Sequence, residues 1–210
     1  MKYHSQLMQD KFVDEYLGQK ENGFFIDVGA HDGTSASNTL FFEESRNWKG
    51  ICIEPGPAEY EKLQANRKSH NINACVSDYD GESEYTYIEG PSMMLSGLTE
   101  TYNRFHEERI NREISQLGGR VSKIKLPVFR LQTILDQCGV THVDYCSIDT
   151  EGSEFNIIRS IDFDKVSISV FSIENNYGDL DIQDFLESKG YALLTKIRWD
   201  DIFIDTKRKA

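Results

Sequence analysis

Short, apolar, β-rich runs alternate with amphipathic stretches along this chain, and that rhythm constrains its fold more than any other feature. Residues 23–28 (GFFIDV) read as a buried strand, 35–45 (SASNTLFFEES) as a helix and 49–55 (KGICIEP) as a strand. Residues 57–69 (PAEYEKLQANRKS) read as a helix with Tyr60 and Leu63 inward, and 72–77 (INACVS) as a third strand. Strands joined through helices specify a parallel sheet with helices on both faces, because a parallel pair needs a crossover and the crossover helix packs back on the sheet. The rhythm then pauses. Residues 82–90 (ESEYTYIEG) alternate as an antiparallel strand does, 99–117 read as a polar helix, and 123–131 (KIKLPVFRL) as another extended piece. About 79–130 are therefore expected to be an inserted hairpin with a lid helix. Helix and strand alternate again over 131–139, 143–148, 153–161, 167–174 and 182–190, and strands at 191–197 and 201–206 close the pattern. With no internal repeat and no Pro-, Gly- or Ser-rich linker, residues 1–210 are expected to form one α/β domain with a mostly parallel seven-stranded sheet.

A chain of 210 residues is long enough to bury roughly 70% of its unfolded surface without covalent staples. Its net charge of −12 argues against nucleic-acid backbone binding, which needs clustered Lys and Arg; the short Lys207–Lys209 run reads as a solvated tail. Cys52, Cys75, Cys138 and Cys146 form no CxxC pair, and the first, second and fourth sit in apolar runs, so they read as reduced packing residues. The opening MKYHSQLMQDKF lacks a signal-peptide core, and no run approaches the 18 or so apolar residues that span a bilayer. A cytoplasmic location is expected.

In a doubly wound sheet, ligands bind beyond the carboxyl ends of the strands. Five successive expected strand ends carry polar or acidic groups: DVGAHDG after the first, Glu54 after the second, Ser77 and Asp78 after the third, Asp149 after the fourth, and Glu174 with Asn175 after the fifth. The glycine loop is not that of a dinucleotide site. In the frame G-x-G-x-x-G, His31 stands at the second glycine and Thr34 at the third, and Asp27 and Asp32 would repel a phosphate. Glu54, 21 residues beyond Gly33, is placed to accept ribose hydroxyls. An acidic loop and a ribose-binding carboxylate suit S-adenosylmethionine, which has a ribose, an ammonium and a sulfonium but no phosphate.

The segments SQLMQDKFVDEYL, GFFIDVGAHDGTSASNTLFFEE, WKGICIEPGP, ACVSD, MLSGL, VDYCSIDTEGSEFNIIRSIDF and SIENNY together resemble the FkbM family of S-adenosylmethionine-dependent methyltransferases over nearly the whole chain. The resemblance implies a class I (Rossmann-like) methyltransferase fold and O-methyl transfer to a hydroxyl of a sugar, a glycan or a secondary metabolite. It places Asp27, Gly29, Asp32 and Gly33 around the methionine part of the cofactor with Asn38 nearby, Glu54 on the ribose, and Ser77 and Asp78 beside the adenine. Gln6 and Asp10 either close over the cofactor or belong to an amphipathic first helix.

Asp149, Glu174 and Asn175 should converge where the methyl group is transferred. Two carboxylates and an amide oxygen are hard donors of the kind Mg²⁺ accepts, and without metal Asp149 or Glu174 could act as general base. His106 and Arg109, three residues apart on the inserted helix, read either as a base and an anion-binding group facing the pocket or as a solvated face. Glu151 and Glu154 read either as a functional pair or as acids favoured by a helix N-terminus. His31 reads equally as a loop residue, and Phe41 and Phe42 as core. A nicotinamide-dependent oxidoreductase would need a pyrophosphate site and a Tyr-x-x-x-Lys pair that the sequence lacks, and a non-catalytic nucleoside-binding module would not need the acids at the fourth and fifth strand ends.

Overall fold

The computed structural model describes residues 2–207 apart from 177 and 179. Its main sheet is built from β1 (Phe24–Val28), β2 (Lys49–Ile53), β3 (His70–Ile72), β8 (His142–Ile148), β9 (Ser167–Glu174), β10 (Tyr191–Ile197) and β11 (Asp200–Asp205) in the order β3-β2-β1-β8-β9-β11-β10. The first five in that order run parallel; β11 is antiparallel to β9, and β10 to β11. The sheet is thus mixed: a doubly wound parallel core with an antiparallel closing hairpin. The order reverses between β1 and β8, so the carboxyl ends of these strands flank the ligand crevice expected at a topological switch point.

Alternation along β1 decides which residues meet which layer. Ile26 and Val28 join Ile51, Ile53, Cys146, Ile148, Phe171 and Ile173 under helices α5 (Leu131–Cys138), α6 (Glu154–Arg159) and α7 (Leu180–Ser188). Phe25 faces the opposite layer of α1 (Gln9–Tyr16), α2 (Leu40–Ser45) and α3 (Pro57–Asn66), where Val13, Phe41, Phe42 and Leu63 are fully buried. Phe41 and Phe42 are core residues, and no cysteine is paired: Cys52, Cys75 and Cys146 are buried and Cys138 is exposed.

The expected third strand is two strands. Ile72 ends β3 opposite Ile53, whereas β4 (Cys75–Ser77) leaves the main sheet and pairs with β7 (Arg120–Arg130). Asn73 makes the break, its amide donating to the carbonyls of Glu54 (2.8 Å) and Pro55 (3.0 Å). The expected helix over 35–45 is likewise shorter. Ser37 Oγ accepts from the backbone N–H of Thr39 and Leu40, a local alternative to helical bonding that Ser, Thr and Asn offer, and α2 starts only at Leu40. The inserted region is a second, four-stranded sheet, β4-β7-β5-β6, with β5 (Gly81–Glu89) and β6 (Gly97–Leu98). β5 pairs along its length with β7, from Gly81 opposite Val128 to Glu89 opposite Arg120. Helix α4 (Arg104–Leu117) packs Ile110 on Ile88 and Leu95 of this unit.

Candidate functional site

The loop after β1 is tied to both neighbouring strands. The amides of Gly29 and Ala30 donate to the Ile53 carbonyl (3.0 and 3.1 Å), and that of Asp149 to the Val28 carbonyl (2.9 Å). Gly29 has φ 88°, and a Cβ there would stand 1.8 Å from the Asp149 carbonyl oxygen, so only glycine allows the two strand ends to meet so closely. The next bend places His31 at φ 49° and aims its backbone N–H at Glu54 Oε2 (2.8 Å), while the Gly56 N–H reaches Oε1 (2.7 Å). Glu54 is 7% exposed. Burial pushes its carboxyl up to about 7 against the pull of those two amides. It lies in a largely apolar cavity whose walls come from Pro55, Cys75, Val76, Tyr85 and Leu98.

A second cavity adjoins the first across Gly29, His31, Met94 and Asp149, which line both. It is acidic, with Asp27, Asp149, Glu174 and Asp200 among its walls. Asp27 accepts from Thr39 Oγ1 (2.6 Å), and burial raises its pKa although Arg67 and Thr39 oppose. Asn38 donates to Ser147 Oγ (2.9 Å) and leaves its Oδ1 buried without a partner. Asp149 and Glu174 face each other: desolvation first, and the facing Glu174 second, hold the Asp149 carboxyl well above the usual range, and desolvation takes Glu174 to about 7. Two carboxyls so placed disfavour joint ionisation.

A third, polar cavity is reached through Glu174 and Glu151. Glu151 sits at φ 58°, and its Oε2 stands 3.7 Å from His106 Nδ1 and 3.7 Å from an Arg109 guanidinium nitrogen. Desolvation, then Asp149, push its carboxyl up to about 8. His106, 2% exposed, packs on the Tyr102 ring, with Nε2 3.1 Å from the Leu95 carbonyl; burial lowers its pKa.

Residues 27–193, four-fifths of the chain, match the sequence pattern of the methyltransferase FkbM domain. The chain belongs to the FkbM methyltransferase family. No curated protein matches it in sequence. Among solved structures it is similar to an FkbM methyltransferase from Methylobacillus flagellatus KT, with 16% identity and a TM-score of 0.48 over 87% of this chain and 43% of that one. It is also similar to a putative RNA methyltransferase from Pyrococcus horikoshii, with 11% identity and a TM-score of 0.45 over 95% of this chain and 83% of that one. The chain thus spans less than half the length of the solved FkbM methyltransferase.

In this FkbM domain the residues singled out in the sequence fall into three groups. Asp27, Gly29, Asn38, Glu54, Asp149, Glu174, Asn175 and His106 of α4 line the connected cavities, as does Gln6. Asp32, Gly33, Asp10 and Glu154 shape the backbone instead. Asp32 accepts from the N–H and hydroxyl groups of both Thr34 and Ser35; although partial burial opposes, those bonds hold its carboxyl below the usual range. Gly33 makes room for Arg67, whose Cγ would be 2.6 Å from a Cβ there. Asp10 caps the segment before α1 through Ser5 and the His4 N–H, and Glu154 folds back onto the N–H groups of Thr150 and Gly152. Ser77 and Asp78 lie on an open groove with Tyr79 and Glu100 that adjoins the third cavity across Thr101 and Gly152, and Asp78 pairs with Arg159 at 3.7 Å.

Asn175 turns its amide to Asp201 (2.9 Å). No group of three His, Cys, Asp or Glu among the described residues is spaced for a metal, so the structure lends Mg²⁺ no support. Sequence reading also passed over Tyr85, Leu98, Gln9, Trp199 and Asp200. The first two lie in the second sheet, Tyr85 in the expected strand 82–90 and Leu98 in the MLSGL segment, neither of which carried a site residue. Asp200 opens an antiparallel strand, so its start lies beside the carboxyl end of β9, opposite Glu174, and the expected closing hairpin could have signalled it.

No helix among the described residues is long and apolar enough to cross a membrane.

Proposed function

We propose that this FkbM-family methyltransferase uses S-adenosylmethionine to methylate a hydroxyl oxygen of a sugar, a glycan or a secondary metabolite. One observation carries the reading: Glu54, fixed by two backbone amides in an apolar cavity, adjoins a cavity lined by acids. A nucleoside with a cationic tail suits that pair of cavities, and a pyrophosphate does not. The donor fits the residues present, since the Asn38 Oδ1 is a buried acceptor without a partner and acids predominate among the charged groups around it. When bound, it supplies a methyl group on a positively charged sulfur, an electrophile that needs no further activation.

Glu54 would accept the ribose hydroxyls, while the walls of Cys75, Tyr85 and Leu98 exclude water from the base. Asp27, Asn38 and Asp149 would hold the amino-acid end. A positive tail favours the ionised forms of Asp149 and Glu174. Glu174, on the boundary with the third cavity, becomes the base that takes the acceptor's proton as its oxygen attacks in line. His106 and Arg109 would border the acceptor from the lid helix.

Calorimetric titration of S-adenosylhomocysteine tests the reading. Micromolar binding is expected for the wild type, at least tenfold weaker for Glu54→Ala, and indifferent to magnesium or chelator. Absence of binding in the wild type overturns the cofactor assignment. With labelled donor and a panel of methyl glycosides as acceptors, Glu174→Gln should cut turnover about 100-fold, within the range of general-base contributions, with product binding retained.

A further inference from the structure

We propose that Trp199 is the platform for the methyl acceptor: the C–H face of a sugar ring rests on the indole, with its hydroxyls turned to Glu174. The inference rests on the methyltransferase reading and deepens it, assigning a residue that binds the acceptor and not the donor. Trp199 lies outside residues 27–193, which match the family pattern, so it is no part of the shared motifs.

Of the large apolar side chains left exposed among the described residues, only Met94 and Trp199 line the three connected cavities, and of these Trp199 alone is aromatic. It is 48% exposed, whereas Trp48, the other tryptophan of the chain, is 3% exposed within the core. Ligand sites combine an apolar wall with a few fixed polar groups. Here the indole is the largest apolar side chain on a cavity otherwise marked by Asp27, Asp149, Glu174 and Asp200.

The backbone holds the ring in that place. Arg198 and Trp199 form the two-residue turn between Ile197 of β10 and Asp200 of β11, and Arg198 takes a φ of 57° at a position where such turns favour glycine or asparagine. The Asn175 N–H donates to the Trp199 carbonyl (2.6 Å), and the next residue, Asp200, pairs with Glu174 across the sheet. The turn thus sets the indole beside Glu174, which alone among the described residues lines both the acidic cavity and the third one. The Arg198 guanidinium lies over the indole, 5.2 Å from the ring centroid, a cation–π contact that steadies one face and leaves the other for a ligand.

The surroundings select a sugar. One face of a pyranose is a set of C–H groups that packs on the electron-rich face of an aromatic ring, and its rim carries hydroxyls that bond to carboxylates and amides. Glu174, Asp200 and Gln6 supply such groups on the same cavity as the indole. A planar aromatic acceptor would need apolar walls on both faces, and acids stand there instead.

Because one of the two tryptophans is buried in the core, a change in indole emission on adding a non-absorbing ligand reports Trp199. The test titrates methyl glycosides of glucose, galactose, mannose and fucose into protein saturated with S-adenosylhomocysteine, and measures turnover of the same glycosides with labelled donor. A saturable emission change is expected in the wild type and none in Trp199→Phe. Trp199→Ala should raise the KM for the glycoside at least tenfold with kcat changed less than threefold, and Trp199→Phe, which keeps an aromatic face, should recover most of that loss. Calorimetry should find S-adenosylhomocysteine affinity within twofold of the wild type in both variants, and thermal melting should find both folded. A glycoside KM within twofold of the wild type in Trp199→Ala, or a tenfold loss of S-adenosylhomocysteine affinity there, overturns the platform role. A wild type that binds S-adenosylhomocysteine but neither responds to nor methylates any of the glycosides overturns the sugar assignment. A wild type that does not bind S-adenosylhomocysteine overturns the cofactor reading and this proposal with it.

Discussion

At the scale of single residues, the site depends on backbone positions that tolerate little change. Gly29→Ala would place a methyl carbon 1.8 Å from the Asp149 carbonyl oxygen at a φ of 88°, combining a left-handed penalty of about 1–2 kcal/mol with a backbone collision. Destabilisation on the order of 3 kcal/mol or more, or loss of folding, is expected in urea denaturation. Gly139, also at positive φ but with open space around it, should accept alanine for about the left-handed penalty alone. These same residues show how far the site could be read from sequence. That Glu54, Asp149 and Glu174 line cavities was legible, because each ends an apolar run and strand ends at a switch point border a crevice. The placement of Asp32 and Gly33 was not, because a letter in a glycine loop does not reveal whether it faces a ligand or its own backbone. Only the bonds to Thr34 and Ser35 and the approach of Arg67 separate those cases.

At the scale of elements, the first helix is held by one buried pair. Arg46, beyond the end of α2, makes two bonds to Asp14 of α1, at 2.7 and 2.8 Å, with the Tyr3 hydroxyl on the same carboxylate at 3.0 Å. Removing one partner strands the other charge in the core, which typically costs about 3–5 kcal/mol. Asp14→Ala should destabilise by that order, while the double replacement Asp14→Leu with Arg46→Met should recover most of it; equal stability of single and double variants would refute the anchoring role. Element order was legible where the period of apolar residues changed cleanly, as in β8, β9 and β11. It was not legible where polar side chains intervene in the backbone. Asn73 cuts one expected strand into β3 and β4, and Ser37 withholds five residues from α2. Both outcomes depend on partners distant in sequence or on a single side-chain bond, and apolar periodicity registers neither.

At the scale of the whole molecule, the buried acids set how stability responds to pH. Glu54 and Glu174 are pushed up to about 7 and Glu151 to about 8, whereas an unfolded glutamate titrates near 4.3. Between about pH 4.5 and 8 the folded state holds protons that the unfolded chain has released, so stability falls as pH rises through that window. The carboxyls held low, Asp32 and Asp144, act in the opposite sense: their contribution is present above the unfolded value of about 3.9 and is lost only on further acidification. The ligand-free protein should melt several degrees higher at pH 5 than at pH 8, and Glu54→Gln with Glu151→Gln should flatten the slope. A melting temperature that rises steadily from pH 5 to pH 8 would contradict the burial of these acids. The break at Asn73 bears on how the molecule responds to a ligand. It puts Val28, Ile53 and Glu54 of the large sheet on one side of the apolar cavity and Cys75, Tyr85 and Leu98 of the small sheet on the other. A nucleoside held there bridges two sheets joined along the chain by a two-residue step, and opening the small sheet would mean releasing it. Amide hydrogen exchange along β5 and β7 should therefore slow when S-adenosylhomocysteine is added, more than along β10 at the far edge.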